Sequence, residues 1–283
     1  MWMKISKYLP KRKTDSEGIV PIKFDECGRR VFRNEKVCKY FLQDVLGIPA
    51  ENIKSIRFLD TYLPGRHRKQ KRGILDILVE MNNDAKINIE IQLKYMKRWD
   101  KRQLFYLSRL YTDELIIGEK YEKLKRCIGI SILDFNLTDR EEYHNVYYLQ
   151  DDEGHHLSED FEIHTIELKK KLKGDNPLDD WVRLFNAQSE EELDMIKTDN
   201  IGIREAIMEV KRYSLVGLIR QLYREHVDYI RDNAAVEDYI REEGEERFAH
   251  LTQLLIDDNR SEDLSRAIAD KSYRELLYQE YGL

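Results

Sequence analysis

Cysteine is scarce in this chain: Cys27, Cys38 and Cys127 are the three present in 283 residues. They are odd in number and form no CxxC pair, which argues against a disulfide framework and leaves zinc unsupported. They read as free thiols of a reducing cytoplasm. No uninterrupted apolar stretch reaches the length that a bilayer requires. Met1-Trp2-Met3-Lys4-Ile5 opens no secretory apolar region. No membrane partner is expected, and no repeat of fixed period is present.

Charge, by contrast, is abundant. Charged residues make up 36% of the chain, yet apolar residues, at 41%, are spread throughout, so a disordered chain is not expected. The net charge of -6 is unevenly distributed. Residues 1–133 hold 29 Lys and Arg against 17 Asp and Glu; residues 134–283 hold 19 against 37. A basic first half suits a phosphate-handling site. The acidic second half adds little to non-specific DNA affinity and is a candidate dimer or regulatory surface.

Two segments in the basic half carry acids where strands rarely place them. Asp76 lies inside Gly73-Ile74-Leu75-Asp76-Ile77-Leu78-Val79, and Glu90 inside Ile87-Asn88-Ile89-Glu90-Ile91-Gln92-Leu93. Both segments read as β-strands. Burying an unpaired carboxylate is costly unless a cation, a proton or hydrogen bonds accompany it. Met81-Asn82-Asn83-Asp84-Ala85 between them is rich in turn formers. A hairpin centred near Asn83 pairs residue 76 with residue 90, with Cβ atoms about 5 Å apart. Like charges that close need a bridge, and a hard cation such as Mg²⁺, with Mn²⁺ as the alternative, suits two carboxylates. Strict alternation in the second strand puts Asn88, Glu90, Gln92 and Lys94 on one face. A solvated polar face explains that strand alone but not Asp76, whose neighbours are apolar.

The remaining pattern alternates helices and strands. Residues 1–20 are expected to form a flexible basic lead-in. Val31 to Leu46 reads as one helix and Ile53 to Leu63 as a strand. Arg66, Arg68, Lys69, Lys71 and Arg72 form a basic loop running into the Asp76 strand, suited to nucleic-acid backbone contacts. Trp99 to Gly118 reads as a long helix, with Leu104, Leu107, Leu110, Tyr111 and Leu115 facing the core. On it Arg102 and Tyr106 share a face, so Arg102 is a candidate for the scissile phosphate; the alternative is a solvated basic face. Strands are expected over Cys127–Leu133, Val146–Leu149 and Phe161–Leu168. From Pro177 the pattern is helical, with Glu242-Glu243-Gly244-Glu245-Glu246 as an acidic hinge. The order points to an α/β core over 21–175, with a mixed central sheet flanked by helices, followed by an acidic all-helical region over 176–283. Glu35 is a candidate third carboxylate, although an exposed helix start suits it better. His67 belongs to the basic loop, and His155-His156 has no metal-binding context.

Asp76 followed by Glu90-Ile91-Gln92 resembles the Asp…Glu-x-Lys core of the PD-(D/E)XK nucleases, with Gln at the Lys position. The set of Arg30-Val31-Phe32-Arg33-Asn34-Glu35, the two acid-bearing strands, Arg102 to Tyr111 and Ile163 to Leu168 is similar to the recombination-promoting nuclease / putative transposase branch. The resemblance covers roughly residues 20–230 and implies a restriction-endonuclease-like core, with a four-stranded mixed sheet and metal-dependent cleavage of DNA. It makes Asp76 and Glu90 the expected metal ligands, and Asp76, Glu90 and Gln92 the expected catalytic set. Gln92 can orient a water but carries no charge. Lys94, two residues on, is a candidate source of that charge, although a solvated strand-end lysine suits it better.

Overall fold

The structure is a computed structural model and describes residues 18–63, 73–112, 115, 118–174 and 176–283. Two compact units divide the chain, Ser16–Arg220 and a C-terminal unit from Gln221 to Leu283. The sequence boundary at 175/176 falls inside the first unit. Most of the expected basic lead-in lies outside the described residues.

The first unit opens with two helices, α1 (Asp25–Phe32) and α2 (Glu35–Leu46). They replace the single helix expected over Val31–Leu46. Asn34 makes the break: its side chain caps α2 by accepting from Lys36 N. The α2 helix stops at Gly47, whose φ of 64° is the left-handed conformation that ends helices.

Six strands form a mixed sheet. They are β1 (Ile56–Phe58), β4 (Ile77–Met81), β5 (Ala85–Gln92), β6 (Arg126–Leu133), β8 (His156–Glu167) and β7 (His144–Gln150), in that spatial order. β5, β6 and β8 run parallel at the centre; β1, β4 and β7 pair antiparallel toward the edges. The sheet thus has two strands more than the resemblance implies. A separate two-stranded ladder joins β2 (Tyr62–Leu63) to β3 (Gly73–Ile74), so the strand expected over Ile53–Leu63 is divided.

The β4–β5 hairpin turns on Asn82 and Asn83, with φ of 55° and 63°. Asparagine tolerates this region, and positive φ at both central residues matches the twist of the flanking strands. Asn82 also accepts from Lys54 N and Ser55 N, which pins the turn to the segment before β1.

Helix α3 (Trp99–Thr112) covers one sheet face, packing Tyr106, Leu107 and Leu110 on Leu75, Leu78 and Cys127. Its phase differs from the sequence expectation. Leu104 is 54% exposed, whereas Gln103 is 1% exposed. The strand surface beneath is polar, with Lys86, Asn88 and Glu90 all buried, so the helix turns an amide inward to meet it.

On the other side, Ile87, Ile89 and Ile91 alternate away from α3 and are buried. Gly28 of α1 backs onto them: a Cβ there would lie 2.7 Å from Ile91 Cδ1. An aromatic cluster of Phe32, Phe41, Trp181 and Phe185 joins α1 and α2 to α4 (Asp179–Asn186). Two further helices, α5 (Glu190–Met195) and α6 (Ile201–Ser214), complete this unit. Tight packing of α6 on α2 occurs at Gly202, where a Cβ would lie 2.4 Å from Tyr40 Cβ.

The C-terminal unit contains most of α7 (Gly217–Asp257), with α8 (Ser261–Ala269) and α9 (Lys271–Glu280). Leu251, Leu255, Ala267, Leu277 and Tyr278 form its core. The acidic hinge at Glu242–Glu246 does not exist: helix runs through it. One glycine costs a helix about 1 kcal/mol, and pairs such as Arg241 with Asp238 and Tyr239 with Glu243 brace the stretch. No helix among the described residues is long and apolar enough to cross a membrane.

Candidate active site

The hairpin register pairs Ile77 with Ile89, so Asp76, one residue before β4, comes opposite Glu90 one step further along. Asp76 Oδ2 accepts from Ile91 N at 3.1 Å. The first acid is therefore tied to the strand that carries the second. Its other oxygen, Oδ1, pairs with Arg29 Nη2 of α1 at 3.2 Å.

Glu90 is buried beneath α3 at 3% exposure. Gln103 Nε2 donates to its Oε2 at 3.0 Å and Asn88 Nδ2 to its Oε1 at 3.3 Å. Arg102 Nη2 lies 3.8 Å from Oε2. Burial pushes the Glu90 carboxyl up from its ordinary value, and the Asp76 charge adds to that rise. Arg102 and the two amides oppose it without reversing it. A carboxyl whose charging cost is raised by burial and by a neighbouring acid favours a cation beside it.

The oxygen chemistry around Glu90 extends across the sheet. The register sets Ser131 of β6 beside Glu90 and Thr165 of β8 beside Ser131. Ser131 Oγ, Thr165 Oγ1, Asn88 Oδ1 and Gln103 Oε1 are buried without hydrogen-bond partners among the described residues. Buried oxygens of this kind ordinarily hold water. Two carboxylates backed by orphan oxygens fit a hydrated hard cation, which binds through one or two carboxylates and keeps its waters. No cluster of three or more His, Cys, Asp or Glu suited to a metal occurs among the described residues.

The other expected residues divide. Arg102 lies beside the acids, its guanidinium 5.2 Å from the Tyr106 ring centroid, and Tyr106 is buried. Gln92 ends β5 half-buried, with its Nε2 donating to Lys94 O at 3.1 Å. Lys94 lies past the strand end and is exposed. Glu35 is exposed in the first turn of α2. His155 pairs with Asp151, and His156 with Glu159. Arg66, His67, Arg68, Lys69, Lys71 and Arg72 lie outside the described residues.

Two residues at the site escaped the sequence reading: Gln103, which holds Glu90 together with Asn88, and Arg29, which holds Asp76. A glutamine interrupting the apolar stripe of α3 was the available signal for the first. Arg29 lies 47 residues from its partner, and no local pattern announces that contact.

Asp76 sits at a bend between β3 and β4, not inside the single strand expected over Gly73–Val79, and it still comes opposite Glu90 of β5, which begins Glu-x-Gln. A family model for the PD-(D/E)XK nuclease family transposases matches residues 28–239. The chain belongs to this family. Searches of curated proteins and of solved structures gave no match. The match spans both acids, α1 from Gly28, α3 and the whole sheet. A PD-(D/E)XK fold accounts for the mixed sheet flanked by helices, and nuclease or transposase-like function follows from the family.

Proposed function

We propose that this PD-(D/E)XK family member is a Mg²⁺-dependent DNA endonuclease whose metal ligands are Asp76 and Glu90. The observation that carries the reading is the opposition of these two acids across the β4–β5 hairpin, with Glu90 buried and its carboxyl pushed up by burial and by Asp76. When bound, the ion supplies the charge that activates a water and stabilises the phosphoryl oxygens.

The chain's own residues supply orientation and screening. Gln103 and Asn88 fix the Glu90 carboxylate through their amide N–H groups. Ile91 N fixes Asp76. Gln92 offers an amide at the end of β5 for a water, once its bond to Lys94 O is exchanged. The positive charge that Gln92 lacks comes from Arg102 and Arg29, the cations nearest the two acids among the described residues. Arg102 is the candidate for bidentate contact with the scissile phosphate, steadied by Tyr106. The basic loop over Arg66–Arg72 is proposed to contact the DNA backbone.

Nicking of supercoiled plasmid by the purified chain tests the proposal. Activity should require Mg²⁺ or Mn²⁺ and vanish in Asp76→Ala and in Glu90→Ala. Full activity in either variant refutes the assignment, and supplying RNA in parallel settles the choice of nucleic acid. With one acid pair per chain, a double-strand cut requires two copies or two successive nicks. Sedimentation on DNA distinguishes these, and a homodimer is the proposed form.

One observation favours a second reading, a DNA-binding or protein-interaction module with a degenerate site. All four carboxylate oxygens of Asp76 and Glu90 already accept hydrogen bonds. That reading predicts salt-dependent DNA binding with no cleavage and no stabilisation by divalent ions.

A further inference from the structure

Arg29 faces two ways. One Nη holds Asp76, while the residue also lines a groove of about 580 Å³ between α1 and α6. Arg30 and Arg33 of α1 and Arg212 of α6 line the same groove. Arg33, the C-cap of α1, follows Arg29 by four residues and Arg30 by three, so it neighbours both. Two acids, Glu26 and Glu209, oppose four cations, and Glu209 is taken up by Arg212.

Among the described residues Arg29 and Arg212 are ion-paired, to Asp76 and Glu209, and the other two arginines are not. Arg29 Nε is buried and has no hydrogen-bond partner among the described residues. Arg30 and Arg33 are exposed and make no ion pair among the described residues; Arg30 only overlies the Tyr213 ring at 5.8 Å. A second basic groove exists, lined by Arg140, Lys170, Lys171 and Lys173 among others. There Lys170 is bound to Glu167 and Lys173 to Glu142. Arg140 and Lys171 make no ion pair there among the described residues, so pairing alone does not separate the two grooves; the α1–α6 groove is distinguished by Arg29, which ties it to Asp76 of the acid pair.

We infer that this groove binds the phosphodiester backbone of DNA flanking the acid pair, with Arg30 and Arg33 as phosphate contacts and Arg29 linking the groove to Asp76. The inference rests on the nuclease reading for the choice of ligand and adds a path for the strand that leaves the site. Guanidinium groups recognise phosphate oxygens bidentately, and such contacts set register and affinity without reading sequence.

The test is binding of a fluorescently labelled 20-base-pair duplex by the full chain in EDTA, at 50 and 200 mM salt. Each phosphate contact contributes about 0.9 to the slope of log affinity against log salt. Arg30→Ala/Arg33→Ala should therefore lower the slope by about 2. Raising the salt fourfold then weakens the variant about tenfold less than the parent. Arg30→Lys/Arg33→Lys should keep most of the slope. Both arginines are exposed, so an unchanged melting curve is expected in each variant. An unchanged slope in the alanine variant overturns the inference, as does a loss seen instead in Lys171→Ala/Lys173→Ala. Because binding is read without metal, a chain that binds through the groove but never cleaves overturns only the nuclease reading. A chain that cleaves, with the alanine variant binding and cleaving like the parent, overturns only the groove.

Discussion

Asp76 Oδ2 accepts a hydrogen bond of 3.1 Å from the backbone N–H of Ile91, the residue after Glu90. The two acids are thus joined by main chain as well as by sheet register. A backbone donor cannot swing away, so Asp76 Oδ2 is anchored to the strand that carries Glu90. The same strand residue touches α1, where Gly28 leaves room for Ile91. One short segment of β5 therefore positions both carboxylates and the helix that carries Arg29.

Gly28→Ala should disturb this junction. The added methyl meets Ile91 Cδ1 at 2.7 Å and the Ile22 carbonyl oxygen at 2.8 Å. The side chain can yield, but the carbonyl cannot without moving backbone. Overpacking of this kind costs about 1–3 kcal/mol. Urea denaturation should show a lower midpoint at unchanged slope, and cleavage should fall further than Gly47→Ala, remote from the acids, makes it fall.

Glu90→Gln should melt higher than the parent without metal at neutral pH, and the gain should depend on pH. A carboxyl whose folded value is raised binds its proton more tightly in the folded state. Its penalty is absent below the ordinary glutamate value and grows as pH rises through the raised one. The difference in melting temperature between Glu90→Gln and parent should therefore widen across that window and then level off. Saturating Mg²⁺ should reverse the order, because an ion at 100 times its Kd stabilises the parent by about 2.7 kcal/mol and the variant by much less. A difference independent of pH contradicts the assignment of a raised value to Glu90.

Arg29→Met should tighten divalent-ion binding. The guanidinium occupies an oxygen of Asp76, and an ion must displace it. The pair is partly solvated, so about 1 kcal/mol is the relevant scale, which is roughly a fivefold change in Kd. Titration calorimetry with Mn²⁺ measures it. Weaker binding in the variant shows that Arg29 supports the ion rather than competing with it.

Gln103→Ala should destabilise the metal-free protein by about 2 kcal/mol. It removes a buried donor to an ionised carboxylate, a bond worth about 1.5–3 kcal/mol. A double-mutant cycle with Glu90→Gln isolates the interaction; additive effects would show that the amide holds the helix rather than the acid.

The hairpin and its register were legible because the signals were local. Two asparagines accept positive φ, and alternation in β5 fixes which side chains share a face. Family membership was legible for the same reason, since the two acid-bearing segments retain their motifs. The phase of α3 was not, because a helical stripe shows which residues are apolar but not that the strands beneath are polar. Leu104 therefore faced inward in the sequence and outward in the fold. The break at Asn34 is readable as a cap followed by Glu35, and the run at Glu242–Glu246 misleads because dense charge around one glycine does not stop a helix. Arg29 illustrates a different limit: its partner is set by the packing of α1 on β5.

A crystal soaked in Mn²⁺ tests the central claim most directly. The account predicts an anomalous peak bridging Asp76 and Glu90, with oxygens of both carboxylates about 2.1 Å away, as a hard divalent ion requires, and with Arg29 released from Asp76. A saturated crystal that shows no peak there, or a peak bound elsewhere with both arginine pairs intact, contradicts it.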